Sequence, residues 1–325
     1  MFKRILVLAA SASLALTMTA CGSDKDSGGS GSGSSKIVLG FSQVGAESGW
    51  RTANTKSIQA SAGTAGIELK FSDAQQKQEN QIAAIRSFIK QKVDVIGFSP
   101  VVVTGWDAVL KEAKAAKIPV VLTDRAVDSD PSLYVTFIGS DFVEEGKKAG
   151  QWLVDEYKDA KEPVNIIQLE GTVGSAPAID RKKGFEEVIG SNPNLKVVAS
   201  QSGDFTRAKG KEVMQALLKA NKDVDVLFAH NDDMGLGAMQ AIEEAGLTPG
   251  KDIKIVTIDA VKDGMTALSE GKFNYIVECS PLLGDQLMAT VKKVKAGETV
   301  EKRIVTVETV FDQAKAKEAL PTRQY

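Results

Sequence analysis

The sequence predicts an α/β fold of two doubly wound, parallel-sheet lobes joined by a multi-strand hinge. Three observations carry this expectation. Short β-branched and apolar runs alternate with stretches of helical period from residue 36 onward. The alternation restarts near residue 141, so one run of βα units follows another of similar pattern. The chain, at 325 residues and 43% hydrophobic, is long enough to fill two cores of ordinary size.

In the first run, 37–41 reads as a strand, 48–64 as a helix and 69–71 as a strand. A helix over 79–91 follows, with Ile82, Ile85, Phe88 and Ile89 on one face. Next come a strand at 93–98, a helix at 106–116, and strands at 119–122 and 133–138. The second run gives a helix at 141–157, a strand at 164–169, a helix at 179–189, a strand at 195–199 and a helix at 207–221. The stretch from Val224 then runs apolar to Ala229, stops at His230-Asn231-Asp232-Asp233, and resumes a helical period through Met239, Ile242 and Ala245. A strand at 253–258 follows, and after a segment at 264–270 a strand at 275–277 and a helix at 284–296 fit a further crossing between lobes. The expected division is 36–140 plus about 279–306 for one lobe, and about 141–278 plus 307–325 for the other. The halves share a pattern without a visible sequence repeat.

The amino terminus reads as an export signal over 1–20, with Lys3 and Arg4 before an apolar stretch and small residues up to Cys21. That stretch is short for a membrane span. Met18-Thr19-Ala20-Cys21 resembles the lipobox of bacterial lipoproteins, with Met where Leu is more usual; the alternative is a plain signal peptide cut near Ala20. Residues 21–35, almost wholly Gly, Ser, Asp and Lys after the cysteine, have the composition of a tether. A lipid on Cys21 would therefore hold the folded part at a membrane. The second cysteine, Cys279, is left without a partner, so no disulfide is expected, and burial is its expected fate. Forty basic against 42 acidic residues, without a long basic run, give no reason to expect a nucleic-acid partner.

Loops at the carboxyl ends of parallel strands face the ligand crevice. Here such loops carry Glu47, Trp50 and Arg51; Asp124 and Arg125; Phe205 beside Arg207; Asn231; Asp259; and Glu278, with Arg181 on the helix after Gln168-Leu169-Glu170. Carboxylates and amides can bridge vicinal hydroxyls, guanidinium groups donate to hydroxyl or ring oxygens, and aromatic faces stack on a sugar ring. A polyol needs many such bonds, since each hydroxyl buried without one costs about 1–3 kcal/mol. Singly, each residue has another reading: the aspartates as helix caps, the arginines as solvated ion pairs, Trp50 as core, and His230 as a structural side chain.

No catalytic or cofactor motif is complete. Gly235-Leu236-Gly237 lacks the third glycine of a dinucleotide fingerprint, and Glu145-Gly146-Lys147-Lys148 lacks the upstream glycine of a P-loop. Ser175 follows the second glycine of Gly171-Thr172-Val173-Gly174, so this is no nucleophile elbow. Neither a cofactor nor a metal is expected.

From residue 36 nearly to the end, the chain resembles the type I periplasmic sugar-binding proteins of ABC transporters. Phe41-Ser42-Gln43-Val44-Gly45, Glu47-Ser48-Gly49-Trp50-Arg51, Asp180-Arg181-Lys182-Lys183-Gly184-Phe185 and Gln201-Ser202-Gly203-Asp204-Phe205-Thr206 look especially like galactofuranose-binding members. The resemblance implies ligand contacts from Glu47, Trp50, Arg51, Asp124, Arg125, Arg181, Phe205, Asn231, Asp259 and Glu278. His230, Asp232 and Asp233 fall to supporting or capping roles. Where the family often has Asp-Gly, this chain has Asp259-Ala260, which places a less permissive residue in that loop.

The expected function is capture of a monosaccharide, galactofuranose or a related pentose or hexose, by a monomeric, non-enzymatic receptor. It would close on the sugar and deliver it to an ABC permease. A sugar sensor feeding a chemotaxis or kinase receptor is the alternative. An exported carbohydrate-processing enzyme using Asp124 and Asp259 is a more remote one.

Overall fold

The computed structural model describes residues 36–325, so the export signal, Cys21 and the tether lie outside the described residues. The first sheet contains β1 (Val38–Gln43), β2 (Glu68–Asp73), β3 (Val95–Phe98), β4 (Val120–Thr123) and β5 (Thr136–Gly139). The second contains β6 (Val164–Glu170), β7 (Leu195–Ser202), β8 (Val226–Ala229), β9 (Lys254–Asp259) and β10 (Tyr275–Glu278). Two short strands complete the sheets: β11 (Arg303–Val305) pairs parallel with β5, and β12 (Val310–Phe311) pairs antiparallel with β10.

The strand orders are β11-β5-β4-β3-β1-β2 and β12-β10-β9-β8-β6-β7. They are the same order written twice. In each sheet the chain turns outward from its first strand and then reverses, leaving a crevice at the carboxyl ends of β1 and β3, and of β6 and β8. The central strands are buried on both faces, which explains their continuous apolar runs: β3 and β8 are buried at every position, whereas the edge strands β2 and β7 are largely half-buried or exposed. Even the edge turns match. Gln75 and Gln76 after β2, and Asp204 and Phe205 after β7, are consecutive residues with φ between 53° and 60°.

Helices α1 (Gly49–Ala65), α2 (Gln78–Gln91) and α3 (Asp107–Ala115) flank the first sheet. The second is flanked by α4 (Phe142–Glu156), α5 (Ala176–Ile189), α6 (Arg207–Ala220), α7 (Asp232–Glu244) and α8 (Lys262–Ser269). Helix α9 (Gly284–Lys295) returns to pack on α1, while α10 (Gln313–Ala319) packs on α8. Three segments therefore pass between the sheets: one after β5, one from β10 to α9, and one from β11 to β12. Each sheet has an apolar cluster on either face, and Trp50 of α1 joins the cluster around Phe142, Val261 and Cys279 on the other side.

Two sequence expectations change. The strand expected at 133–138 starts only at Thr136, because Pro131–Leu133 is a single 3₁₀ turn that Asp130 caps by accepting from Ser132 N. Strands β11 and β12 and helix α10 went unread, being too short for a hydrophobic period to show.

Candidate functional site

The crevice between the sheets is a narrow slot. Its volume is about 290 Å³. The two sides touch over its mouth: Gly49 N–H donates to Asp233 Oδ2 at 2.7 Å, and Val103 N–H to Gly174 O at 2.9 Å.

On the first side, Ser48 caps α1 by accepting from Arg51 N, and the helix carries Trp50 and Arg51 into the slot. The Arg51 guanidinium donates to Asp124 Oδ2 at 2.6 Å, Glu47 Oε1 at 3.0 Å, Gln43 Oε1 at 3.2 Å and Ser99 Oγ at 3.4 Å. Burial opposes its charge, but Asp124 and Glu47 outweigh that, and the Arg51 pKa is raised. Arg125 is held more weakly, 3.7 Å from Glu47 and 3.8 Å from Asp124, with one firm bond to Val101 O at 3.1 Å. Burial and then the neighbouring Arg51 push its pKa down to about 10, against the pull of both carboxylates. Two buried polar atoms of this group have no hydrogen-bond partner among the described residues, Glu47 Oε2 and Arg125 Nε.

Arg181 dominates the second side. It lies on α5, whose Phe185 stacks on Phe228 with ring centroids 4.1 Å apart. Its Nε donates to Glu145 Oε2 at 2.7 Å and its Nη1 to His230 O at 2.5 Å, while Asp259 Oδ1 lies 3.8 Å from Nη2. Burial raises Glu145 to about 8 and Asp259 well above the ordinary carboxylate value, with Arg181 opposing in both cases. Asp259 and Ala260 have φ of 129° and 66°, so this alanine does adopt the left-handed conformation that the sequence put in question. The tip of the Phe205 ring abuts Gly171, where a Cβ would fall 1.8 Å from Cζ. Arg125 and Arg181 stand over its ring from opposite sides of the slot, at 5.3 and 6.0 Å.

The structure thus gathers Glu47, Trp50, Arg51, Asp124, Arg125, Arg181, Phe205, Asn231 and Asp259 around one cavity. Glu278 is not among them. Its carboxylate faces the chain terminus, accepting from Arg323 Nη1 at 2.8 Å and Tyr325 OH at 3.0 Å, and the next residue, Cys279, lines the cavity instead. One step along an extended chain reverses the side chain's direction, and sequence reading had no sign that the terminus folds back to claim Glu278.

The polar cluster after β8 also sorts differently. Asn231 is itself the cap of α7, its Oδ1 accepting from Met234 N at 3.0 Å, while its Nδ2 donates to Phe205 O at 3.1 Å. Asp232 is buried against the Thr257 hydroxyl and Val261 N–H, and Asp233 bridges Arg207 and Gly49. The His230 ring accepts from Gly171 N–H at Nδ1, at 3.4 Å. Its Nε2 lies 2.9 Å from the Gln168 amide nitrogen. Burial, then Arg181, holds His230 well below its ordinary pKa and so neutral.

Sequence reading passed over Ser48 and Pro177 in the lining, and Glu145 behind it. Glu145 left a signal: it shares the buried face of α4 with Phe142, Ala149 and Leu153, an unusual place for a lone carboxylate.

A periplasmic binding protein domain model matches residues 39–299. The chain belongs to this family. It is 51% identical over 293 residues to the galactofuranose-binding protein YtfQ of Escherichia coli (strain K12), covering 89% of this chain and 92% of that protein. Among solved structures it is similar to a Mycobacterium smegmatis protein in complex with β-D-fucofuranose, with TM-score 0.88 and 67% identity over 89% of this chain and 95% of that one. It is also similar to the binding component of the arabinose ABC transporter of Shewanella sp. ANA-3 bound to α- and β-L-arabinofuranose. That match has TM-score 0.85 and 52% identity, covering 89% and 96% of the two chains. Two six-stranded sheets flanked by helices, with a cavity between them, are the type I architecture of this family, and these relatives are binding proteins.

Proposed function

We propose that this binding protein captures a monosaccharide in its furanose form, galactofuranose or a near relative, and delivers it to an ABC permease without chemical conversion. The observation that carries the reading is the slot itself, where charged and aromatic side chains of both lobes converge and Glu47 Oε2 and Arg125 Nε lack hydrogen-bond partners among the described residues. Sugar hydroxyls would satisfy those atoms. The named furanose ligands of the similar proteins support the ring form.

Arg51, Asp124, Arg125 and Glu47 would bind from one lobe; Arg181, Asn231 and Asp259 from the other; Trp50 and Phe205 would face the ring. Because closure must be favoured by the ligand's differential affinity, contacts from both lobes are required: shifting an equilibrium from 1:99 to 99:1 takes about 5.5 kcal/mol. Glu145 and the His230 carbonyl fix the Arg181 guanidinium in advance, which lowers the ordering cost of binding.

Calorimetry against galactofuranose, fucofuranose, L-arabinose, fructose and ribose tests the proposal. Binding is expected to be tightest for one of the furanoses; absence of heat with every sugar would overturn it. The protein is further proposed to act as a monomer held outside the cell membrane by a lipid on Cys21. Cys21→Ser is expected to move it from the membrane to the soluble fraction, and retention of the variant in the membrane would contradict the anchor.

A further inference from the structure

Behind the cavity, where the three crossings meet, donor atoms of Glu145, Cys279 and Glu308 all lie within 4.8 Å of one another. The three come from distant parts of the chain. Glu145 stands in the first turn of α4, just past the first crossing; Cys279 is on the second crossing and Glu308 on the third. Glu145 and Cys279 are each 1% exposed. Glu308 Oε1 is oriented by Ser280 N–H at 3.0 Å and the Thr306 hydroxyl at 2.9 Å.

The second observation is an oxygen without a partner. Glu145 Oε2 is bound to Arg181, but Glu145 Oε1 is buried and has no hydrogen-bond partner among the described residues. Such an atom ordinarily costs about 1–3 kcal/mol, so it marks a place where a cation or donor belongs.

We propose that Glu145, Cys279 and Glu308 form a binding site for a divalent cation of the zinc class, set in the hinge. One sulfur with two carboxylate oxygens selects a borderline-soft ion; magnesium and calcium take oxygen ligands alone. Three protein ligands leave one position of a tetrahedral ion for water. Charge also balances. Two carboxylates and a thiolate carry three negative charges, and Arg181 with a divalent ion carries three positive ones. As the metal–ligand bonds form, the Cys279 thiol proton and the proton that burial favours on Glu145 both leave to solvent. With metal–ligand bonds of about 2.0–2.3 Å, the donors need to draw together by only about 1 Å. The bound ion would fasten α4 to two of the crossings and restrain the motion that opens the slot.

The test uses the full chain carrying Cys21→Ser, so that Cys279 is the sole thiol, titrated with cobalt(II). An intense near-ultraviolet sulfur-to-cobalt band that saturates at one ion per chain and is displaced by zinc(II) is expected. Cys279→Ser should abolish the band with its circular dichroism unchanged. Glu308→Gln should weaken binding tenfold or more, while the exposed Glu298→Gln should not change it. Absence of the band at millimolar cobalt, its persistence in Cys279→Ser, or unchanged affinity in Glu308→Gln would overturn the proposal.

Discussion

Arg51→Ala is expected to abolish measurable sugar binding and to lower stability by about 3–5 kcal/mol, the cost of removing one partner from a buried charge group. Arg51 is 2% exposed and holds Glu47, Gln43, Ser99 and Asp124 at once. Without it, two carboxylates are left to Arg125, which stands 3.7–3.8 Å away and is itself short of bonds. Arg51→Lys should not rescue the site, since one ammonium cannot satisfy acceptors spread around a planar fork. Calorimetry with thermal unfolding of both variants checks this. Wild-type affinity in Arg51→Lys would show that its charge alone matters.

The second large effect is expected from Gly184→Ala. Helix propensity alone would make this change favourable by up to about 1 kcal/mol. Packing opposes it: a Cβ at Gly184 would lie 2.0 Å from the Val143 carbonyl oxygen, and one at Gly146 would lie 2.1 Å from the Arg181 carbonyl oxygen. Helices α4 and α5 thus touch backbone to backbone, and neither clash can be relieved by rotating a side chain. Overpacking of this kind costs about 1–3 kcal/mol or more, so packing wins, and separation of the helices should also pull Arg181 away from Glu145. A lower unfolding temperature and weaker sugar binding are expected together. Gly63→Ala is the control. It sits in α1 with open space around its Cβ and should stabilise slightly. If both variants stabilise alike, the close approach of α4 and α5 does not govern the site.

What could be read in the sequence follows from the range of each interaction. Buried parallel strands announce themselves as apolar runs, and the loops after them place Asp124, Arg125, Asn231 and Asp259 at one end of the sheets, so these residues were legible without coordinates. Glu278 fails the same rule because Arg323 and Tyr325, from the end of the chain, fold back to it. Asn231 shows a different limit. A cap and a cavity-lining side chain look alike in sequence, and here one residue is both. Strands β11 and β12, of three and two residues, exist through pairing with β5 and β10, and no local pattern could reveal them.

The most direct test is a crystal structure of the protein with galactofuranose or the furanose that calorimetry selects. The expected result is one sugar ring between Trp50 and Phe205, with hydroxyls bonded to Arg51, Asp124 or Arg125 from one lobe and to Arg181, Asn231 or Asp259 from the other. A sugar bonded to one lobe alone, or lying outside this slot, would contradict the account.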